Sequence, residues 1–355
     1  MLLLVYFILL LLSFYLLAKV CDDYFVESLD EIAQKLKLSS DAAGATLMAI
    51  GSSAPELFVA IIAVIRPGDH EQIGMGTIVG SALFNLVVIA GVVGIIRPFT
   101  VNWHIVLRDL LFYFVGVLFL YSVFIDGNIS LYEAILFPLL YIVYVYIVVK
   151  WRKLVPFEPE IKKVPEIAQD AKIGRNNITR LLFVLVKPLD FIIDKVFIYK
   201  KNVFFVFFGS IILIGLFSWV LVESAIEISQ ILDIPEAILA LTVLAIGTSV
   251  PDMLSSIIVA KQSRGGMAVT NAIASNIFDI LIGMGVPFII LIFMYGKTVP
   301  ISTSELIVST GLLIISIVGM LVLMVLNKWN IGRKMGTSLI LFYIAFLVYE
   351  FISIG

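Results

Sequence analysis

The chain has 355 residues, 61% of them hydrophobic and only 14% charged, with a net charge of -2 and a mean hydropathy of +1.11. That composition excludes an ordinary soluble domain, and the near-neutral balance gives no sign of a nucleic-acid partner. The only cysteine, Cys21, excludes an intrachain disulfide and argues against thiolate metal or redox chemistry.

A helix needs about 20 apolar residues to cross the hydrocarbon core of a bilayer. In chain order, such stretches fall at 1–19, 42–65, 73–96, 105–125, 129–149, 202–222, 236–260, 267–294, 304–326 and 336–354. Lipid offers no partner to an open strand edge, and no alternating ten-residue pattern of a barrel is present, so the predicted class is an all-α integral membrane protein of ten transmembrane helices. The first stretch has neither a basic leader nor a small-residue cleavage site and is expected to stay in place as a helix.

Between the fifth and sixth stretches lies the charged segment 150–201, which carries E-P-E-I-K-K-V-P-E at 158–166 and an amphipathic part from Ile178 to Tyr199. It predicts a cytosolic linker with an interfacial helix. Loops after the odd-numbered spans hold 22 of the 24 Lys and Arg residues, leaving only Arg66 and Lys297 in loops on the other face. The positive-inside rule then places both termini outside the cell and the linker in the cytosol. The sequons at Asn128 and Asn177 are chance-level matches. The acidic outer stretch around Glu223, Glu227, Asp233 and Glu236 reads either as a solvated surface or as a concentrator of cations.

The chain repeats itself. V-E-S-L-D-E-I-A-Q-K-L (26–36) and V-E-S-A-I-E-I-S-Q-I-L (222–232) agree at 7 of 11 positions. T-L-M-A-I-G-S-S-A-P-E (46–56) and T-V-L-A-I-G-T-S-V-P-D (242–252) agree at 6 of 11, with the same offset of 196. A second element follows each, G-S-A-L-F-N (80–85) and A-S-N-I-F-D (274–279). The expected organisation is a first five-helix repeat over 1–149, with motifs at 44–58 and 80–85, and a second over 202–355, with motifs at 240–253 and 274–280. An odd number of spans per repeat forces the copies to insert in opposite directions, the plan of secondary transporters, with the binding site near the membrane midplane.

Glu56, Asp252 and Asp279 stand inside spans, where a charged side chain costs roughly 2.5 to 3.5 kcal/mol on insertion scales. No Lys, Arg or His lies deep enough in a span to neutralise them, which leaves protons or bound cations. Pro55 and Pro251 offer no N–H to the carbonyls of Gly51 and Gly247, so each helix is expected to break or kink just before its acid and free carbonyl oxygens. Hydroxyls flank the breaks at Ser52, Ser53, Thr248 and Ser249. On the following helices Ser81 and Asn85 share one face, as do Ser275 and Asp279. An all-oxygen set suits hard cations such as Ca²⁺ and Na⁺ and argues against zinc or copper. Two ions competing for the same carboxylates would exchange, which is antiport.

A-I-G-S-S-A-P-E-L-F (49–58), A-I-G-T-S-V-P-D-M (245–253) and A-S-N-I-F-D-I (274–280) resemble the α-repeats of the calcium/cation antiporter superfamily, most closely the potassium-dependent sodium/calcium exchanger branch. The resemblance implies the sodium/calcium exchanger fold and Na⁺/Ca²⁺ antiport by alternating access, with no enzymatic activity and no cofactor. It implies calcium ligation by Glu56 and Asp252 with the main-chain oxygens of Ser52 and Thr248. Sodium sites would use Ser53, Ser249, Ser81, Ser275 and the carbonyls of Ala49 and Ala245. Asp279 matches a residue tied to potassium dependence, its counterpart in the first copy being Asn85, although an aspartate there also occurs in potassium-independent prokaryotic relatives. The second copy has Ala274 where the pattern has Gly. The large regulatory loop of animal relatives is absent, and a monomer is the expected working unit. The family also implies that spans 1–19 and 202–222 slide as an apolar gate. A proton/calcium exchanger is the nearest alternative; a cation channel and an intramembrane aspartyl protease fit the paired motifs less well.

Overall fold

The computed structural model describes residues 2–35, 49–68, 70–154, 188–197, 202–261, 265–296, 298–300 and 304–352. The first seven residues of the predicted second span, most of the linker and Asn177 lie outside the described residues. Among the described residues, nine helices are long and apolar enough to cross a membrane. They are α1 (Leu2–Lys35), α3 (Glu71–Ile96), α4 (Trp103–Asp126), α5 (Leu131–Trp151), α6 (Val203–Leu232), α7 (Glu236–Lys261), α8 (Gly265–Tyr295), α9 (Leu306–Leu326) and α10 (Arg333–Ile352). The described part of the tenth span, α2, comprises Ala49–Ser52 and Ala54–Ile65.

Two helices run well past their predicted ends. α1 continues through the charged stretch after Val20 by way of a π-helical turn, Cys21–Phe25, and then Val26–Lys35. α6 continues to Leu232, where Asp233 in the left-handed conformation (φ 56°) caps it. The first repeated motif is therefore the helical tail of a span and not a loop. Its apolar residues fall on one face, which lets the helix persist where hydropathy falls. Local chemistry sets other boundaries. Asn102 caps α4 by accepting from the His104 N–H at 3.1 Å, and Gly127 (φ 65°) ends that helix. Ser130 and Glu133 form a capping box at the start of α5, with the Ser130 N–H donating to Glu133 at 2.8 Å.

Two small antiparallel ladders stitch the repeats together. β1 (Phe99–Thr100), between α3 and α4, pairs with β4 (Asn330–Ile331), between α9 and α10. β2 (Asn128–Ser130), between α4 and α5, pairs with β3 (Thr298–Pro300), between α8 and α9. Exchanging the two repeats turns one ladder into the other, and the connectivity puts them on opposite membrane faces.

The apolar interior divides into two clusters. The larger joins α3, α4, α5, α8, α9 and α10 with parts of α2 and α7. The smaller is built on the α1–α6 pair with Ile193 and Phe197, and touches α2, α3 and α7 along one side. The short helix 188–196 falls within the predicted amphipathic part of the linker: Ile193 and Phe197 are buried while Phe191, Ile192 and Val196 are exposed.

Candidate functional site

Close backbone approach creates the site. On α3, a Cβ added at Gly74 would lie 2.6 Å from the Ala60 Cα, and one added at Gly76 would lie 2.8 Å from the Ala240 Cβ. At Gly80 it would lie 2.6 Å from the Ala245 Cβ and closer still to the Leu241 carbonyl oxygen. These glycines draw α2 and α7 onto α3, so that both proline-containing segments meet the Gly80–Asn85 element.

The two copies solve the proline problem differently. In the first, the helix is interrupted at Ser53 (φ -95°, ψ 9°) and restarts at Ala54 with Pro55 in its first turn. In the second, α7 runs unbroken from Ala245 to Lys261 with Pro251 inside. Of the break or kink expected before Asp252, the break does not occur: the helix is continuous there. One missing N–H removes one hydrogen bond, and packing on both sides holds the remainder of the helix. Neither Pro55 nor Pro251 can serve the carbonyl four residues earlier, at Gly51 and Gly247.

Glu56, Asn85 and Asp279 are each 1% exposed, whereas Asp252 keeps part of its surface accessible. The three acids lie within electrostatic reach of one another, and none has an ion pair with a Lys, Arg or His among the described residues. Three hydroxyls cross the repeat boundary, with Ser275 Oγ 2.7 Å from Ser53 Oγ and 3.2 Å from Ser52 Oγ, and Ser53 also neighbours Asp279. Thr248 lies beside Glu56, yet its hydroxyl turns back to donate to the carbonyls of Leu244 (3.2 Å) and Ala245 (3.4 Å). The Ala49 carbonyl accepts from the Ser53 N–H at 3.1 Å and from the Ser52 hydroxyl at 3.3 Å. Ser81 donates to its own helix, at Ile78, at 3.1 Å.

Six buried oxygens here have no hydrogen-bond partner among the described residues: both carboxylate oxygens of Glu56, Oδ1 of Asn85, Oγ of Ser249, Oδ1 of Asn276 and Oδ1 of Asp279. Buried polar atoms are satisfied as a rule, and a cluster of exceptions calls for a ligand. Such oxygens, negatively charged in part and free of nitrogen or sulfur, match a hard cation. No three acidic, imidazole or thiol groups converge among the described residues, so any cation held here draws on hydroxyl and carbonyl oxygens as well as the acids.

Asn276 was not among the residues singled out from the sequence. It is fully buried, and its amide donates to the Ala82 carbonyl at 2.8 Å and lies 3.3 Å from the Tyr113 hydroxyl. Ala82 is its own counterpart in the first repeat, so the side chain ties the two copies together at their symmetry axis. A polar residue where the other copy has alanine was the available signal.

Of the acids around 223–236, Glu223 and Glu236 are engaged rather than free. Arg66 forms a two-pronged pair with Glu223 at 2.8 and 2.9 Å, and His70 Nδ1 lies 2.9 Å from Glu236. At the base of α4, Asp109 is held by Arg108 at 2.7 and 3.0 Å and by the Tyr144 hydroxyl at 3.2 Å. These acids are structurally committed, in contrast to the six bare oxygens.

An inverted pair of five-helix repeats enclosing an oxygen-lined, cation-suited centre defines an ion-transporting membrane protein of the antiporter type. The chain belongs to the sodium/calcium exchanger protein family, whose model matches residues 6–150 and 202–352. The human sodium/potassium/calcium exchanger 4 is similar to it at 29% identity, over 96% of this chain and 80% of that protein. The human sodium/potassium/calcium exchanger 5 is similar at 29% identity, over 99% of this chain and 84% of its own length. Among solved structures, the sodium-calcium exchanger NCX_Mj superposes with a TM-score of 0.55 at 26% identity, over 97% of each chain. The H⁺/Ca²⁺ exchanger CAX shares the fold with a TM-score of 0.69 at 17% identity, over 96% of this chain and 82% of that one. The protein is a multi-pass membrane transporter and not an enzyme.

Proposed function

We propose that this protein is a secondary active antiporter that exchanges Na⁺ for Ca²⁺ by alternating access, with K⁺ taking part beside Asp279. The observation that carries the reading is the cluster of six unpartnered buried oxygens on the paired motifs; family membership and the relatives named as sodium/potassium/calcium exchangers support it. In this reading Glu56 and Asp252 ligate Ca²⁺ together with the main-chain oxygens of Ser52 and Thr248. Na⁺ uses Ser53, Ser249, Ser81, Ser275 and the carbonyls of Ala49 and Ala245 and shares the two acids, while Asn85 and Asp279 tune which ion replaces calcium. Because neither cargo is satisfied while the other holds the carboxylates, binding of one drives release of the other.

The repeats 1–149 and 202–355 form the transport unit, a monomer in the cell membrane, with both termini outside and the 150–201 linker in the cytosol. The supporting observation is the charge asymmetry of the loops. Calcium uptake into proteoliposomes under an outward sodium gradient at fixed pH, with and without potassium, tests the reading. Uptake should follow the sodium gradient and rise with potassium. Uptake driven only by a proton gradient would replace it with H⁺/Ca²⁺ exchange.

A further inference from the structure

The helix at 188–196 sits against the part of α1 that faces the site. Tyr15, Lys19 and Asp23 recur every four residues on one side of α1, and Tyr24 adjoins them. The Tyr15 hydroxyl donates to Asp190 at 2.6 Å, and the Tyr24 hydroxyl donates to Asp194. Lys19 Nζ lies 2.9 Å from Asp23, 3.8 Å from Asp190 and 3.6 Å from Asp194. Beyond the helix, the Phe197 ring stacks on Tyr24 at 4.1 Å and covers Gly209 of α6, where an added Cβ would lie 3.0 Å from the ring. The short helix is thus fastened to both α1 and α6, and its buried residues belong to the smaller apolar cluster, not the larger.

The other side of the same α1 segment meets the site. The π-helical turn Cys21–Phe25 packs against Ala49–Ser52, and Val26 lies 2.8 Å from where a Cβ on Gly51 would sit. Among the described residues four π-helical turns occur, and the other three each contain or adjoin a candidate ligand: Phe84–Ile89 holds Asn85, Ala240–Leu244 runs into Ala245 and Asp279–Gly283 begins with Asp279. Such turns concentrate at functional positions because they leave backbone groups free to shift. The equivalent part of α6, 217–221, is ordinary α-helix, so the α1 turn is a departure from the repeat.

We propose that Asp190 and Asp194 are positioning residues that fasten the 188–197 segment to α1 as a handle, so that α1, α6 and this helix move as one body past the larger cluster during transport. This rests on the alternating-access reading above. The handle holds the π-helical turn against Gly51, and through it the cytosolic linker acts on the cation site without touching it.

The test uses the full chain in proteoliposomes. With Asp190→Asn and Asp194→Asn together, maximal calcium flux should fall about fivefold while the calcium concentration for half-maximal flux stays within about twofold, as expected for a changed gating barrier with intact ligands. Asp190→Glu with Asp194→Glu should restore most of the rate, and Lys195→Ala, on the exposed side, should leave it unchanged. In a Cys21→Ser background, Tyr15→Cys cross-linked to Asp190→Cys should still transport, because a single body need not open that contact. Wild-type flux in the double Asn variant, or silence of the cross-linked protein restored by reduction, would overturn the proposal. If the wild-type protein moved no calcium under any cation gradient, the transport reading would fail, and amide hydrogen exchange would then decide the handle. Faster exchange over 15–25 in the double Asn variant supports it, and unchanged exchange refutes it.

Discussion

Gly80→Ala is the sharpest test of the site's architecture, because it changes no candidate ligand. The added methyl would stand 2.6 Å from the Ala245 Cβ and closer still to the Leu241 carbonyl oxygen, whereas such atoms essentially never approach within 3.0 Å. α3 and α7 must therefore separate by at least 0.4 Å at this level, and the obstructing carbonyl is backbone, which cannot swing aside. Overpacking of this kind typically costs about 1 to 3 kcal/mol. The functional effect should be larger than the stability effect. Ser81 follows Gly80 directly and Ala245 is the contact itself, so the displacement enters the ligand set, where metal–ligand distances tolerate only about 0.2 Å. We expect calcium flux per folded molecule to fall at least about tenfold, while the thermal midpoint drops by a few degrees. Flux in proteoliposomes, normalised to protein recovered as a single peak by gel filtration, reads the first; thermal unfolding in detergent reads the second. Gly319→Ala on α9, where nothing lies within 4 Å of the new methyl, serves as the control. Wild-type flux in Gly80→Ala would refute the idea that this helix contact sets the site.

Glu56→Gln and Asp252→Asn should each abolish sodium-driven calcium uptake, and wild-type uptake in either would dissolve the ligand assignment. Asp279→Asn should keep exchange but alter its dependence on sodium and potassium, measured as uptake across a matrix of the two ions; an unchanged matrix removes Asp279 from ion selection. Asn276→Ala strips the amide from the Ala82 carbonyl and should lower stability by about 1 to 3 kcal/mol, read by thermal unfolding, with a further loss of flux. Arg66→Gln should cost no more than about 1 kcal/mol, since the pair is partly exposed; a larger loss would mean that the Arg66–Glu223 pair is central to folding.

The ten spans, the repeat and the pairing of its motifs could all be read from the sequence, because hydropathy and self-similarity are properties of the chain alone. Pro251 does not break its helix, because proline announces only a missing donor and says nothing of the neighbours that keep a helix continuous. The ends of α1 and α6 were missed because their tails are charged, and a charged helix reads as loop unless its buried partner is known. The engagement of Glu223 and Glu236 was equally hidden, since Arg66 and His70 reach them from 157 and 166 residues away. Tyr113, which touches Asn276 from α4, has no local signature at all.

The paired ladders have a mechanical consequence. Each joins a hairpin of one repeat to a hairpin of the other, and neither includes α1 or α6. The frame is thus laced shut at both leaflets by the same stitch turned upside down, and a shuttle leaning toward either side meets the same wall. In the single-body motion proposed above, what makes the two sides unequal falls to attachments that have no repeat counterpart: the Arg66–Glu223 pair, which ties α6 to the end of α2, and the 188–197 segment, which α1 carries with it.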